Sequence, residues 1–416
     1  MNLLAGERLH FSGKVASLPS TLTADEINEK YARGDVRIVT EQARYPLSTI
    51  VTMLKSGDYN LNPEFQRRHR WNRYKQSRLI ESFIMNVPIP PIFLYEVKYS
   101  QYEVMDGLQR LTAISDFYSD QFALESLDQW PELNGLRYSK LPEQVRRGVD
   151  RRYLSSIILL QETAQTSGEA ERLKQLVFER INSGGEKLEA QESRNALHNG
   201  PLNRLCIELA RTTSFCTMWG IPTDESMLAA DSPQQVLDLS FEFEEPEAGT
   251  TTALLRNPLY QKMQDVELVL RFFAFRQFER IEQGRLRDFL DEYMRLGNDF
   301  RPDVLDDLES LFVRTSNLVY DVLGEQAFYL VRRRRNAETG WNRFIRPTKV
   351  LYDPMMYVFS QYVDRAGDLI AKAEEIRDGL EGLYKDNPDA FKGRFNREDI
   401  SERNRLVDKF ILGFLG

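Results

Sequence analysis

The stretch "YEVMDGLQRLTAISDFY", residues 102–118, limits the fold more than any other. Residues 102–105 favour a strand. Leu111, Ile114, Phe117 and Tyr118 then recur with the spacing of one apolar helix face. Only Asp106 and Gly107 separate the two patterns, so a strand must run almost directly into a helix. The flanking sequence repeats the alternation. Residues 73–85 read as a helix with Leu79, Ile80, Phe83 and Ile84 inward, and Pro88, Pro90 and Pro91 stop it. "PIFLYEV" and "LSSIILLQE" (154–162) read as strands, and "VRIVTEQ" as extended chain. "ADEINEKYARG" is a short helix ending at Gly34. "PLSTIVTMLKSGD" is another, with Pro46 in its first turn and Leu47, Ile50, Val51 and Leu54 on one face. Strands and helices alternate irregularly, which is an α+β pattern.

From about Ser167 the pattern is helical. "GEAERLKQLVFERINSGG", "LEAQESRNALHNG" and "LNRLCIELARTTSF" each read as one helix, and "DVELVLRFFAFRQFERI" is apolar around enough of its circumference to be central. Residues 221–252, with the run "FEFEEPEAG", read as a solvated connection. A chain of 416 residues exceeds one compact core. The expected division is an N-terminal extension (1–44), a sheet-bearing domain (45–165) and a helical domain (166–416). A net charge of −8 excludes a generally basic nucleic-acid coat, so any DNA contact needs a local patch. Cys206 and Cys216 form no metal or disulfide pattern, which fits a reducing cytosol. No signal peptide and no apolar run of about 18 residues is found, so a cytoplasmic protein without membrane contact is expected.

Several chemistries are excluded. His10, His69 and His198 are too few for a histidine-based metal nuclease. GxxxxGK[ST], GxSxG and HExxH are all missing; "SGGEK" (183–187) is too short to be that phosphate loop. Glu96 and Lys98 at a strand end form a weak Mg²⁺-nuclease pattern, with Asp58 or Glu81 as the further acid. Alternation would set the pair on one face.

Two segments suit anions. Arg67, Arg68, Arg70, Arg73, Lys75 and Arg78 lie in a stretch without acids, interleaved with His69, Trp71 and Tyr74. Arginine forks hold phosphate oxygens and aromatics stack on bases. The bland alternative is a solvated helix start anchored by Trp71. The run "RRRR" (332–335) reads as an exposed basic loop. At the Asp106 turn, Arg110 stands where a helix N-terminus would present free N–H groups to phosphate. Asp106 could hold Mg²⁺, orient a water or cap the helix. Gly107 would permit close backbone approach or positive φ. Gln109 could bond a base, a ribose or an attacking water. The alternative is a structural turn in which Asp106 pairs with an arginine.

Four ordered segments, "LNPEFQRRHRWN", "SRLIESFIMNVPIPPIFLYE", "VMDGLQRLTAI" and "VFERINSGGEKLEAQESRNAL", resemble the N-terminal domain of GmrSD-type modification-dependent restriction proteins, the DGQQR-motif family. The resemblance covers roughly residues 45–200, and "MQDVELVLRFFAFRQFE" looks like the stand-alone members of that family. It implies a ParB/sulfiredoxin-like mixed α+β domain at 45–165 that binds nucleotide, followed by a mainly α-helical domain. It further implies a bacterial anti-phage or restriction role in which a nucleoside triphosphate is bound with Mg²⁺ and hydrolysed, and in which DNA is sensed or acted on. The DGQQR element maps to Asp106, Gly107, Gln109 and Arg110. Asp106 would organise metal or water, Arg110 and Arg67 would hold phosphates, and Gln66 and Gln109 would orient the ligand. The loop at Asn182 and Gly185 would close the nucleotide pocket, and Arg68, Arg70 and Arg73 would meet nucleic acid.

The sequence departs from the family in three places. Leu108 replaces a glutamine, Phe65 replaces a tyrosine, and no histidine follows His198 where the family's histidine-type nuclease domain would stand. Cutting would therefore fall to a separate nuclease subunit or to an unrecognised site, with self-association a further expectation. A non-hydrolysing recognition module that recruits a nuclease is the alternative, and a direct Mg²⁺-dependent nuclease is a third.

Overall fold

The computed structural model describes residues 3–11, 23–33, 38–61, 71–160, 167–181, 189–223, 253–278, 285–333 and 341–416. The chain forms two units: Ser17–Leu188, and a discontinuous one made of Met1–Ala16 and Glu189–Gly416.

In the first unit the elements are α1 (Ala24–Arg33), β1 (Thr40–Pro46), a 3₁₀ turn (Leu47–Thr49), α2 (Ile50–Lys55), β2 (Tyr59–Asn60), α3 (Arg73–Ile84), β3 (Ile92–Lys98), β4 (Gln101–Asp106), α4 (Leu108–Tyr118), α5 (Glu143–Asp150), β5 (Tyr153–Leu159) and α6 (Ser167–Ile181). The mixed α+β reading holds: a five-stranded sheet has the order β1-β5-β3-β4-β2. Pairs β1/β5 and β3/β4 are antiparallel, and β5/β3 and β4/β2 are parallel. Although β1 and β2 are opposite edges, the Tyr59 hydroxyl donates to the Tyr45 hydroxyl at 3.3 Å. The sheet is therefore strongly curled, as right-handed twist permits.

Alternation along β3 buries Ile92 and Leu94 on one face. They join Ile50 of α2, Leu79 and Phe83 of α3, Leu111 and Ile114 of α4, Val149 of α5, and Leu154 and Ile158 of β5 in one core. α6 docks on β4 through the ion pair of Lys174 with Glu103, and its ammonium lies 5.4 Å from the Tyr95 ring centroid. α6 thus belongs to the sheet unit, which ends at Leu188. A second core of Ile80, Phe117, Phe122, Leu124, Leu127, Leu133 and Leu141 lies under the 122–141 segment. Buried polar residues of α3 hold that segment: Ser77 Oγ accepts from Glu125 N at 3.0 Å, and Glu81 Oε1 from Gln129 N at 2.7 Å. Burying a carboxylate is tolerable when backbone donors satisfy it.

The second unit contains α7 (Ala190–Leu197), α8 (Pro201–Leu209), α9 (Thr213–Trp219), α10 (Gln264–Phe275), α11 (Leu286–Gly297), α12 (Pro302–Leu323), α13 (Lys349–Phe359), α14 (Ala373–Asp386) and α15 (Arg397–Leu415), with shorter helical turns between. α10 is the expected central helix, buried from Val266 to Phe275 apart from Glu267. The single helix expected at 202–215 is two, because α8 ends at Leu209 and Thr212 begins a new turn whose carbonyl accepts from Cys216 N. The expected basic loop at 332–335 is partly strand: β6 (Val331–Arg333) pairs with β7 (Trp341–Arg343), while Arg334 and Arg335 lie outside the described residues.

Buried ion pairs staple the helices. Arg271 of α10 meets Asp353 of α13, with Nε to Oδ1 at 3.0 Å and both residues almost fully buried. Arg194 of α7 bonds Glu267 of α10 at 3.0 Å and Asp291 of α11 at 2.6 Å. Burial pushes the Glu267 carboxyl up, but Lys349 and Arg194 more than offset this and hold it at about 2. For Asp291 burial outweighs Arg194 and leaves the group above the ordinary value. The residues expected as a simple N-terminal extension begin inside this unit: Glu7 is buried and bonds Arg276 at 2.7 and 2.8 Å. Gln277 clasps the same strap, donating to Glu7 O at 2.7 Å and accepting from Leu9 N at 2.9 Å.

Candidate functional site

The strand-to-helix turn forms where the sequence places it. β4 ends at Asp106, which faces Phe93 of β3, and α4 starts at Leu108. Gly107 between them has φ +93°, and a Cβ there would lie 2.3 Å from Ile92 Cγ2. Glycine is required twice over, by the left-handed backbone and by the close approach to β3. No side chain caps α4. The cap position is Gly107 itself, and the Asp106 carboxylate before it turns to Arg110.

Arg110 is the centre of the turn. Its Nη2 pairs with Asp106 Oδ2, and its Nη1 donates to Pro90 O and, at 3.2 Å, to Pro91 O. The Arg110 side chain is only 11% exposed, whereas Asp106 is 35% exposed, so the carboxylate is the accessible member of the pair. The prolines that stop α3 thus also present carbonyls to the arginine. Gln109 Oε1 accepts from Trp71 N at 3.0 Å. Trp71 packs on the sheet core, as the structural reading of that segment required. The bond brings the end of the basic segment to the turn.

Asp106, Gly107, Gln109 and Arg110 are therefore gathered in one place. Arg73 begins α3, two residues after Trp71; its Nη1 donates to Gln76 Oε1 at 2.8 Å and its guanidinium lies 5.1 Å from the Phe122 ring centroid. Gln66, Arg67, Arg68, Arg70, Asn182 and Gly185 lie outside the described residues, as does Phe65. Leu108 is buried, 8% exposed, in the first turn of α4.

Two of the carboxylates considered for a direct nuclease, Glu96 and Glu81, serve the backbone. A bulge interrupts β3 between Glu96 and Lys98, so simple alternation does not relate them. Glu96 Oε1 accepts from Ser100 N at 3.2 Å in the β3–β4 turn, and Glu81 holds Gln129 and Trp130. Among the described residues no group of three His, Cys, Asp or Glu side chains could hold a metal.

Two tyrosine clusters escaped the sequence reading. Tyr118 and Tyr138 both donate to Asp150 Oδ1 at 3.0 Å, locking the end of α4 to α5. Burial and then the Asp150 bond push Tyr138 up to about 12. Tyr59, between Tyr45 and Tyr102, is raised by burial and by the Tyr45 bond. Residues separated by tens of positions carry no shared local pattern, so nothing in the sequence signals these groupings.

Residues 47–199 match the family model described as GmrSD restriction endonuclease, N-terminal domain. No curated protein and no solved structure matches the chain. The matched stretch contains strands β2 to β5 of the sheet, the Asp106 turn and α7, and the match supports a GmrSD-type N-terminal domain at these residues.

Proposed function

We propose that this GmrSD-type domain gives the protein a restriction-type defence role, in which a nucleoside triphosphate is bound with Mg²⁺ and hydrolysed at the Asp106 turn while DNA is sensed or acted on. The observation that carries the reading is the convergence of Asp106, Gln109, Arg110 and Trp71 at an uncapped helix start inside the matched domain. Free N–H groups and the dipole at such a start favour phosphate. Arg110 supplies a prepositioned fork, and Arg67 would add a second charge from the adjoining segment. Gln66 and Gln109 would orient the nucleotide, with the loop at Asn182 and Gly185 closing over it.

The donor set suits Mg²⁺ in one specific way. Mg²⁺ on nucleotides takes one or two protein carboxylates and fills its shell with phosphate oxygens and water. Asp106 is one accessible carboxylate, which meets that requirement. The ion would neutralise charge on the transferring phosphate; the protein's own part is positioning and charge stabilisation, for which no histidine is needed. Arg68, Arg70 and Arg73 would meet DNA, and a separate nuclease subunit in the cytoplasm would cut it.

The buried Leu108 favours a second reading. With an apolar side chain where the family carries an amide, the domain would bind nucleotide or DNA without turnover and recruit a nuclease. Phosphate release and binding, measured together with ATP, GTP, CTP and UTP, with Mg²⁺ and with or without DNA, separate the two. Arg110→Ala should abolish turnover in a folded protein. Unchanged turnover in that variant removes the assignment, and binding without turnover in the native protein selects the second reading.

A further inference from the structure

This inference rests on the nucleotide reading above and concerns which form of the ligand the turn accepts. The terminal nitrogens of Arg110 and the side-chain carbonyl of Gln109 already have internal partners. Arg110 Nη2 is on Asp106, Nη1 is on the Pro90 and Pro91 carbonyls, and the Gln109 carbonyl is on Trp71 N. The N-cap position of α4 is Gly107, which has no side chain to offer the helix start.

The geometry points to Asp106 as an internal stand-in for phosphate. Its carboxylate occupies on Arg110 Nη2 the place a phosphate oxygen takes, and ligand binding is an exchange of one anion for another. The Pro90 and Pro91 carbonyls accept from the other terminal nitrogen, Nη1, so they keep the guanidinium in place while the exchange occurs. Both anions make charge-assisted bonds of similar strength to an arginine fork, so the swap itself is nearly balanced. Its direction is decided by the displaced carboxylate. Against a bare polyphosphate, that carboxylate is left facing several like charges. With a Mg²⁺-complexed polyphosphate, it gains a cation as it loses the arginine. The resting ion pair therefore selects the metal-complexed ligand and disfavours the free one.

The test uses the full-length protein and inorganic tripolyphosphate as the probe, with calorimetry in Mg²⁺ and in EDTA. The native protein should bind roughly tenfold more weakly in EDTA, the scale of one charge-assisted contact. Asp106→Asn, nearly isosteric, should bind in EDTA roughly tenfold more tightly than the native protein and lose the Mg²⁺ preference. Glu103→Gln makes the same charge change on the same strand, at a carboxylate that faces Lys174. It should stay within about twofold of the native protein in both buffers. Equal native affinity in the two buffers overturns the exchange whether or not any variant folds. An equal gain in Glu103→Gln also overturns it, because general charge then explains the effect. If the native protein binds neither tripolyphosphate nor any nucleotide in either buffer, the nucleotide reading itself fails and takes the exchange with it. Binding without Mg²⁺ preference removes the exchange alone.

Discussion

Gly107→Ala separates the two demands that the turn makes on its glycine. The first is conformational: an L-residue at φ +93° costs about 1–2 kcal/mol. The second is steric: the new Cβ would lie 2.3 Å from Ile92 Cγ2 and 2.9 Å from Ile92 Cβ. Ile92 is fully buried in the sheet core and cannot rotate away freely, so overpacking adds about 1–3 kcal/mol. The sum, about 2–5 kcal/mol, should appear as a loss of hydrogen-exchange protection in α4 and β3. Gly57→Ala supplies the reference, because Gly57 has φ +84° and nothing within 4 Å of a built Cβ. It should cost only the conformational part. Ile92→Ala removes the nearest clashing atom, so Gly107→Ala should be milder by about 1–2 kcal/mol in that background. A Gly107→Ala cost equal to that of Gly57→Ala, or one unchanged by Ile92→Ala, would refute the close-approach argument and leave Gly107 only its conformational demand.

Two predictions concern the helical unit. Asp353→Ala should destabilise it by about 3–5 kcal/mol in urea denaturation, since it strands a buried Arg271 charge, whereas Arg271→Met with Asp353→Leu should recover most of the loss. A single variant as stable as the double one would sink this. Glu267 has a folded pKa of about 2 against an ordinary 4.5, so its contribution is complete above the ordinary value and is lost as pH falls through about 2. That contribution is at most about 3 kcal/mol. The native protein should therefore lose more stability than Glu267→Gln on acidification from pH ~5 to ~2, and parallel acid profiles would contradict the assignment.

Local patterns were legible where one principle dominated. The Asp106 turn, the stop of α3 at the prolines, the strands on both sides and the all-round burial of α10 follow from periodicity and backbone chemistry alone. What was not legible depended on partners distant in sequence. In the sequence Glu81 is a candidate metal-binding acid and Ser77 carries no signal, yet both are buried because backbone donors some 48 residues later complete them. Arg194 read as part of a loop-proximal motif, and instead it joins three helices. At the candidate site the residue types and spacing marked the place. The internal ion pair of Asp106 with Arg110 was one alternative among several, and only three-dimensional placement shows it formed together with the proline carbonyls.

The strap at the N-terminus bears on the order in which the chain can fold during synthesis. Glu7 leaves the ribosome early, but Arg276, its partner, follows 269 residues later. The whole sheet unit, Ser17–Leu188, is complete before any helix of Glu189–Gly416 exists. Contacts of such separation form late, because loop closure must precede their gain. The sheet unit is thus expected to fold first, before the later and larger part of the discontinuous unit has been made. Until α10 emerges, Glu7 belongs to a buried segment with nothing to bury it.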